Sequence, residues 1–321
     1  MTTEVPMKML TTVLTLCALS ACTPKDVSEE ADLLQDTGGE GSSGTSSVWE
    51  DLRHGTSKTF LSAYADGAGL YVVATGGETW EYHNDQWTNI PVMVDEEDLN
   101  GIWGSGTGAG LKMVGVGNNG TIIDWESATA SWDVTQDGTA NFAAVDGPFV
   151  NDLIAVGGAG AWSNTNGTWA PQTTAGYKFN DVWYDGTTGV AVGDDGLIAT
   201  YTDGEWVFDD SATDVHLYGV SGTNDSDIWA VGQESTVIHW NGSNWQEVEL
   251  ESNANMWSVW SPAANVAYVV GANGEAYRIQ GTLVEALPTG VNNILYHITG
   301  TTEANIWALG SRGMTLRYTG G

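Results

Sequence analysis

The sequence predicts an all-β fold, a seven-bladed β-propeller with four antiparallel strands in each blade. Three observations lead to this prediction. A motif recurs seven times at intervals of 36 to 41 residues, and 42 Gly and 16 Trp stand among the 321 residues. The repeated region also has one extra strand-like segment before its first unit and lacks a fourth strand in its last unit. Many short strands joined by tight turns need such a composition, and repeats of about 40 residues are typical of propeller blades.

The first 22 residues predict export and lipid attachment. A positive region ends at Lys8, an apolar stretch runs from Met9 to Leu19, and small residues follow, which is typical of a secretory signal peptide over residues 1–21. The apolar stretch is too short to span a bilayer. The segment Leu19-Ser20-Ala21-Cys22 resembles the lipobox of bacterial lipoproteins, which implies that Cys22 is acylated and becomes the new N-terminus. Thr23 stands where an Asp would resemble an inner-membrane retention signal, so the outer membrane is favoured.

Residues 22–47 predict a flexible tether. They are rich in Asp, Glu, Gly and Ser and contain almost no aromatic residues, so they cannot bury a core. The propeller is expected to occupy residues 48–321. The chain therefore divides into a signal peptide, an acidic tether and a single repeat domain.

Each repeat unit predicts four strands. The second strand runs into a glycine motif, whose first glycines are Gly76, Gly117, Gly157, Gly193, Gly232, Gly271 and Gly310. The first strand carries an apolar residue and a second one three positions later, in the pairs Leu61/Tyr64, Leu99/Ile102, Phe142/Val145, Phe179/Val182, Leu217/Val220, Met256/Val259 and Leu295/Ile298. The fourth strand opens with Trp87, Trp132, Trp169, Trp206 or Trp245, and with Leu283 in unit six.

The seventh unit lacks a fourth strand, because the chain ends soon after Tyr318. The segment from Ser47 to Leu52 contains Trp49 and precedes the first unit as an orphan strand. Pairing this segment with the seventh unit closes the ring and removes two exposed strand edges. The sequence therefore predicts that the last blade is completed by the N-terminal strand.

The repeats resemble a known group of proteins. The pattern from Tyr218 to Trp245, with its WAVG motif and its Asn-Gly turn before a Trp, resembles tandem-repeat β-propeller lipoproteins of bacterial cell envelopes. It is more distantly similar to the seven-bladed lumenal propellers that assist photosystem assembly and to sialidase-type repeats. Such a resemblance implies the fold far more than a function.

Charge limits the partners of the protein. Nine Lys plus Arg against 41 Asp plus Glu give a formal net charge of −32 at pH 7, which repels nucleic acid and anionic lipid headgroups. Membrane contact is expected through the lipid anchor alone, and a basic protein partner is favoured. The acidic residues Asp95, Asp98 and Asp214 precede first strands, so one face of the propeller is expected to be strongly negative and to bind that partner.

The sequence contains no residue set that predicts catalysis. Beyond the tether, the arginines are Arg53, Arg278, Arg312 and Arg317, which argues against the three-arginine clamp of sialidases. Carboxylates are too abundant for a pair of them to indicate acid–base chemistry. The histidines show no metal-ligand spacing, and no cofactor is predicted, although a bound Ca²⁺ stays an alternative.

Aromatic residues predict a candidate binding patch. The residue after the first apolar residue of each unit is Ser62, Asn100, Ala143, Asn180, Tyr218, Trp257 or Tyr296, so aromatics fall on adjacent units five to seven. His297 follows Tyr296. If these rings reach the mouth of the central channel, they form a surface for a sugar, a peptide aromatic or a basic side chain. Packing between blades is the other interpretation.

The sequence therefore favours a non-enzymatic protein-binding scaffold, lipid-anchored in the cell envelope on the periplasmic or surface face of the outer membrane. Surface glycan binding or glycan hydrolysis is the alternative, and a purely structural surface protein is a third interpretation.

Overall fold

The computed structural model describes residues 48–94, 97–136, 140–174, 176–209, 213–318 and 320. The predicted signal peptide, Cys22, the tether and Asp95 lie outside these residues. The described residues form seven four-stranded antiparallel sheets arranged in a ring, which confirms the predicted seven-bladed propeller. In this part of the chain no helix has the length and hydropathy of a membrane span.

The strands of each blade follow one another outward from the central axis. Blade 1 contains β2 (Phe60–Ala65), β3 (Gly69–Ala74), β4 (Thr79–His83) and β5 (Gln86–Asn89); blade 2 contains β6 (Leu99–Ser105), β7 (Lys112–Gly117), β8 (Thr121–Glu126) and β9 (Ser131–Gln136); blade 3 contains β10 (Phe142–Phe149), β11 (Asp152–Gly157), β12 (Gly160–Thr165) and β13 (Thr168–Pro171).

The remaining blades repeat this order. Blade 4 contains β14 (Phe179–Tyr184), β15 (Gly189–Gly193), β16 (Ile198–Thr202) and β17 (Glu205–Asp209); blade 5 contains β18 (Leu217–Asn224), β19 (Asp227–Gly232), β20 (Val237–Trp240) and β21 (Trp245–Glu247); blade 6 contains β22 (Met256–Ala263), β23 (Val266–Gly271), β24 (Ala276–Gln280) and β25 (Leu283–Ala286); blade 7 contains β26 (Leu295–Thr302), β27 (Asn305–Gly310), β28 (Thr315–Tyr318) and β1 (Trp49–Asp51).

Short 3₁₀ turns mark one face of the ring. They follow the second strand in blades 1, 2, 4, 6 and 7, at Thr75–Gly77, Asn118–Gly120, Asp194–Gly196, Ala272–Gly274 and Ser311–Gly313. A further 3₁₀ turn, at Gly108–Gly110, joins the first and second strands of blade 2 on the opposite face. Because neighbouring strands alternate in direction, the connections between second and third strands and those between blades emerge together. We call this side the top face, and the opposite side, with the first-to-second and third-to-fourth connections, the bottom face.

The register of blade 1 differs from the prediction. Phe60 pairs with Ala74, as Leu99 pairs with Gly117 in blade 2, so Ala74 takes the place of the first glycine and Gly76 is the second residue of its turn. The inner-strand pair of blade 1 is therefore Phe60/Ala63 and not Leu61/Tyr64. Gly76 has φ +68°, a conformation that glycine adopts without strain, which is why it resembled the motif glycine of the other units.

Seven apolar clusters hold the ring together, and each lies between two consecutive blades. Between blades 7 and 1, for example, Trp307 and Leu309 pack with Phe60, Leu70 and Val72. Each sheet therefore buries both of its faces against its neighbours, which is why the blades cannot be separate domains.

The two chain ends close blade 7, as predicted. Strand β1 pairs with β28 in antiparallel register, with Trp49 opposite Tyr318 and Asp51 opposite Leu316. The Trp49 ring is 5 % exposed and packs edge-on to Tyr318 at a centroid distance of 5.2 Å. Leu52 N continues the pairing by donating to Thr315 O at 2.8 Å.

A size rule governs the contact between neighbouring inner strands. We number each inner strand from its first residue, so that Phe60, Leu99, Phe142, Phe179, Leu217, Met256 and Leu295 are position 1. Position 5 of one blade faces position 6 of the next. Where position 5 is Tyr64, Trp103, Trp183 or Trp260, the facing position 6 is a glycine, namely Gly104, Gly147, Gly222 or Gly300.

Space explains this rule for Gly104, Gly222 and Gly300, where an added Cβ would meet the facing aromatic ring. A Cβ on Gly104 would overlap the Tyr64 ring, and a Cβ on Gly300 would lie 2.9 Å from Cη2 of Trp260. At the other interfaces position 5 is Asp146, Ser221 or Thr299, and the facing position 6 is Tyr184, Ser261 or Ala65 rather than a glycine. Asp146 Oδ2 accepts a hydrogen bond from Tyr184 N at 2.8 Å, and Ser221 Oγ accepts one from Ser261 N at 3.1 Å.

We therefore expect Tyr64 and Gly104 to be energetically coupled. Gly104→Ser alone forces the Tyr64 ring to move and should lower the free energy of unfolding by about 1–3 kcal/mol. Adding Tyr64→Ser creates a serine pair like Ser221 and Ser261, so the double variant should lose less stability than the sum of the two single losses, by about 1 kcal/mol.

Urea unfolding of the two single variants and the double variant measures this coupling. Gly110→Ser is the matched control, because a Cβ on Gly110 meets nothing within 4 Å. Strictly additive losses would contradict the size rule, and so would a large loss in the control.

Candidate functional site

A channel runs along the axis of the ring and encloses about 400 Å³. Its wall consists of the inner strands of all seven blades, mainly at positions 2 to 6. The first strand of each blade begins at the top face, so position 2 lies near the top mouth and positions 5 and 6 lie near the bottom mouth.

The predicted aromatic residues come together at the top of this channel. Tyr218 stacks on Trp257 with a centroid distance of 4.3 Å and an interplanar angle of 17°, and Trp257 meets Tyr296 at 5.4 Å and 58°. Trp257 is 9 % exposed and Tyr296 is 6 % exposed, because the rings cover one another. Tyr218 is half-buried, and burial raises its pKa above the usual value. Packing between blades thus accounts for most of the ring surface.

His297 also lines the channel, at position 3 of blade 7. Its Nε2 lies 3.1 Å from Ala63 O, so the ring is placed to donate a hydrogen bond to blade 1. The residue is half-buried. The structure therefore places four of the predicted residues, Tyr218, Trp257, Tyr296 and His297, at the wall of one channel.

Position 2 of blade 1 is Leu61 and not Ser62, which follows from the corrected register. In blades 2 and 4 this position is asparagine. Asn100 Nδ2 donates to Phe142 O and Asn180 Nδ2 donates to Leu217 O, both at 2.7 Å, so each amide ties its blade to the next. Asn180 Oδ1 is buried and has no hydrogen-bond partner among the described residues.

The predicted rim carboxylates occupy different environments. Asp98 Oδ1 accepts a hydrogen bond from Gly76 N at 2.7 Å, so it fastens the turn of blade 1 to the start of blade 2. Asn141 Oδ1 accepts a hydrogen bond from Asn119 N at 2.9 Å in the same way. The same type of hydrogen bond therefore joins blade 1 to blade 2 and blade 2 to blade 3. Asp214 is exposed on the top face, and Asp95 lies outside the described residues.

Carboxylates are not confined to the face on which the sequence predicts them. Loops of the bottom face also carry carboxylates, at Asp66, Asp85, Asp185, Asp203 and Asp225. On the top face Lys178 Nζ pairs with Asp194 Oδ2 at 3.2 Å. Negative charge therefore surrounds both mouths of the channel, because the turns on both sides of the ring use aspartate.

Two carboxylates inside the channel escaped the sequence analysis. Asp181, at position 3 of blade 4, accepts hydrogen bonds from Val182 N and Val220 N, each at 2.9 Å. Asp146, at position 5 of blade 3, accepts from Tyr184 N, and its carboxyl group is surrounded by protein although it keeps some access to the channel. No lysine or arginine is among the described residues that line the channel.

The environment of Asp146 changes its acidity. Burial raises its pKa to about 7, against hydrogen bonds from the Tyr184 and Gly147 amides that lower it, and the negative charges of Asp181 and Asp185 raise it further. Position 5 is aromatic in four blades and carries a hydroxyl in two, so an aspartate there is an exception. That exception becomes visible once the units are aligned by their inner strands.

A buried His–Asp pair elsewhere has a structural role. His239 Nε2 lies 2.7 Å from Asp227 Oδ1, and the His239 ring stacks on Trp229 at 3.9 Å. Asp227 also accepts from Asn265 N at 3.2 Å, so the pair links blade 5 to blade 6. Among the described residues, no group of three or more His, Cys, Asp or Glu side chains is placed to hold a metal ion.

Comparisons with known proteins extend only to the fold. No family model matches the sequence, and no curated protein matches it. The structure is similar to YCF48 bound to a D1 peptide, with a TM-score of 0.71 and 16 % identity over 87 % of this chain and 99 % of that chain. It is also similar to YCF48 from Cyanidioschyzon merolae, with a TM-score of 0.68 and 14 % identity over 84 % of this chain and 98 % of that chain.

A third similar structure is that of the RRP9 WD40 repeats, with a TM-score of 0.70 and 10 % identity over 84 % of this chain and 97 % of that chain. At these identities the likeness shows a shared propeller fold. The distant resemblance to photosystem-assembly propellers is confirmed at that level.

The raised pKa of Asp146 predicts a pH dependence of stability. The native pKa of about 7 lies above the value of about 3.9 expected in the unfolded chain, so the native state holds a proton that the unfolded state has lost. The free energy of unfolding should therefore fall as the pH rises between these two values. Asp146→Asn should remove this decline and be more stable than the wild type at pH above about 7.

Carboxyl NMR titration and urea unfolding across this pH range measure both effects. Asp203→Asn is the control, because it removes the same charge from an exposed turn of the bottom face. An Asp146 titration near the unfolded value, or equal effects of the two substitutions, would contradict the prediction.

Proposed function

We propose that this chain is a lipid-anchored lipoprotein of the bacterial cell envelope, whose propeller binds another protein without catalysing a reaction. The observation that carries the proposal is the open axial channel, whose wall combines aromatic rings, carboxylates and backbone groups from all seven blades. A concave site on which polar groups converge is a common form of a ligand site.

The structural neighbours support protein binding. YCF48, which shares the fold, has been solved with a D1 peptide bound. A rigid ring of this kind offers a preorganised surface, so a partner orders few residues of the scaffold on binding.

The net charge of −32 supports a basic partner. Carboxylates at both mouths accelerate the approach of a positively charged surface and disfavour acidic competitors. Binding that depends on these charges is weakened at high salt, because exposed charges are screened.

The proposed anchor suits this role. In this proposal, a lipid chain on Cys22 and a tether with the flexibility that the composition of residues 22–47 predicts would hold the ring within about 30 Å of the membrane surface on average. At that distance the propeller would reach partners embedded in the same membrane. The lipobox residues and the acidic Gly/Ser-rich composition of the tether support this assignment.

Glycan binding, the alternative from the sequence, receives less support. A sugar ring stacks on an exposed aromatic face, but Tyr218 covers one face of Trp257, which is 9 % exposed. Tyr218 is only half-buried in this stack, so a peptide side chain can contact its exposed part at the channel mouth.

Affinity capture from detergent-solubilised envelope tests the proposed protein binding. The full-length chain should retain one stoichiometric protein at low salt and release it at high salt. Tyr218→Ala should reduce retention, whereas Tyr177→Ala, which removes an exposed tyrosine before blade 4, should not. A glycan array is run in parallel, and selective glycan binding without any captured protein would overturn the proposal.

The anchor is tested by metabolic labelling of the native bacterium with an alkyne fatty acid. The wild-type chain should carry the label and fractionate with membranes. Cys22→Ser should lose the label and appear in the soluble fraction, whereas Cys17→Ser should keep it, because Cys17 lies within the predicted signal peptide. Equal labelling of both variants would contradict lipidation at Cys22.

A further inference from the structure

We propose that a groove between the outer strands of blades 5 and 6 binds an aromatic side chain of a basic protein segment. The inserted ring takes the place that a tryptophan of the chain itself fills at the other six interfaces between blades. The groove lies on the outer rim of the ring, away from the axial channel. This inference rests on the proposed protein binding and adds a second contact surface to it.

The outer strand of blade 6 lacks the tryptophan that the outer strands of the other blades share. In those six blades the tryptophan pairs with the third strand at an equivalent position, in the pairs Trp87–Tyr82, Trp132–Trp125, Trp169–Asn164, Trp206–Tyr201, Trp245–Trp240 and Trp49–Tyr318. The corresponding pair in blade 6 is Val284–Ile279. Val284, one residue after the predicted Leu283, therefore stands at the tryptophan position.

At the other interfaces this tryptophan covers the end of the preceding blade. Each ring belongs to, or packs against, the apolar cluster that joins its own blade to the blade before it. Trp132 shares a cluster with Ile90, which is 7 % exposed, and Trp49 shares one with Leu287, which is 5 % exposed. Ile90 and Leu287 each stand three residues after the tryptophan position of their own strand.

Val248 holds the corresponding place at the end of blade 5. It stands three residues after Trp245, and its backbone amide donates to the third strand as those of Ile90 and Leu287 do. Val248 and Leu250 pack on the cluster between blades 5 and 6, but both are only half-buried. A valine opposite them is smaller than a tryptophan, and a groove of about 520 Å³ lies there between the two blades.

The contact between blades 7 and 1 indicates which side chain fits this groove. Trp87 Nε1 donates to Leu52 O at 2.9 Å, and the Trp87 ring meets the His54 ring edge-on at 5.5 Å. Leu52 and His54 stand three and five residues after Trp49, as Val248 and Leu250 do after Trp245. An indole that enters the groove can therefore repeat these contacts, and burial of so large a ring against apolar walls is favourable.

The charge along the groove selects a basic segment. Glu247, Glu249 and Glu251 line the groove and are exposed, and no lysine or arginine is among the described residues that line it. Burial raises the pKa of the Tyr277 hydroxyl in the groove wall, and its hydrogen bond to Glu275 and the negative charge of Glu251 raise that pKa further. The carboxylate charge therefore reaches the groove wall, where it favours lysine or arginine beside the inserted ring.

Two other occupants fit the groove less well. The tether of residues 22–47 contains no aromatic residue, and its acidic composition is repelled by the glutamates of the groove. A second copy of the chain carries the same net charge of −32, which opposes its approach. A basic partner has neither disadvantage.

The test uses the full-length chain with labelled methyl groups and three peptides: acetyl-Lys-Lys-Trp-Lys-Lys-amide, acetyl-Lys-Lys-Ala-Lys-Lys-amide and acetyl-Glu-Glu-Trp-Glu-Glu-amide. The basic tryptophan peptide should shift the methyl signals of Val248, Leu250 and Val284 and leave that of Leu153, buried in blade 3, unchanged. The second peptide lacks the indole and the third reverses the charge, so each should bind about tenfold more weakly.

A tryptophan at the position of Val284 should close the groove. Val284→Trp restores the residue found at the other six interfaces, so it should weaken binding of the basic tryptophan peptide about tenfold or more without lowering the urea midpoint of unfolding. Leu283→Trp is the matched control. Leu283 is 65 % exposed, does not line the groove and lies on the opposite face of β25, so this variant should keep full binding.

Charge variants carry the test if Val284→Trp does not fold. Glu249→Gln combined with Glu251→Gln should weaken binding of the basic peptide about threefold or more at low salt. Asp203→Asn combined with Glu205→Gln removes two exposed charges from blade 4 and should leave binding unchanged. Equal binding of the tryptophan and alanine peptides, or full binding to a folded Val284→Trp chain, would overturn the inference.

Further outcomes separate the groove from the proposed function. A wild-type dimer in sedimentation that Val284→Trp dissociates would place a second copy in the groove and overturn the proposed occupant. Full capture of an envelope protein by Val284→Trp, with loss of capture by Tyr218→Ala, would refute the groove and leave protein binding intact. Binding of the basic tryptophan peptide in the groove without any captured protein would support the site and count against the scaffold role.

Discussion

The whole structure depends on burial of each blade against its two neighbours. A four-stranded sheet of this size has apolar residues on both faces, and seven clusters between blades cover them. Because every sheet needs a neighbour on each side, the arrangement is stable only as a closed ring. Closure in turn creates an axial space that no single blade contains, and the seven inner strands become its wall.

Close contact between neighbouring blades near the axis limits which side chains can occupy the channel wall. Side chains at position 5 lie against the next blade, so a large ring such as Tyr64 requires a glycine at position 6 opposite it. Where position 5 is Asp146, its carboxylate instead accepts a hydrogen bond from the facing backbone and keeps access to the channel. Polar groups reach the channel at those interfaces where the packing is not completed by an aromatic ring.

Much of the fold could be predicted from the sequence, because its signals are repeated. The unit count, the strands and the pairing of Trp49 with the seventh blade followed from spacing and are confirmed. The register of blade 1 was wrong because Ala74 replaces the glycine that marks this position elsewhere. The abundance of carboxylates hid Asp146 and Asp181, whose burial only the packed ring defines. The aromatic residues were predicted to lie together, but their mutual coverage depends on side-chain packing between blades.

The join between β1 and β28 has a consequence for how the chain folds. Strand β1 leaves the ribosome before any other part of the ring, but its partner strand leaves last. Blades 1 to 6 are built from local hairpins and can form in sequence, whereas the final pairing brings together residues separated by nearly the whole domain. Such a non-local step is slow, and until it occurs β28 presents an open strand edge to other chains. The closing step is therefore the stage at which the nascent protein depends most on protection from aggregation.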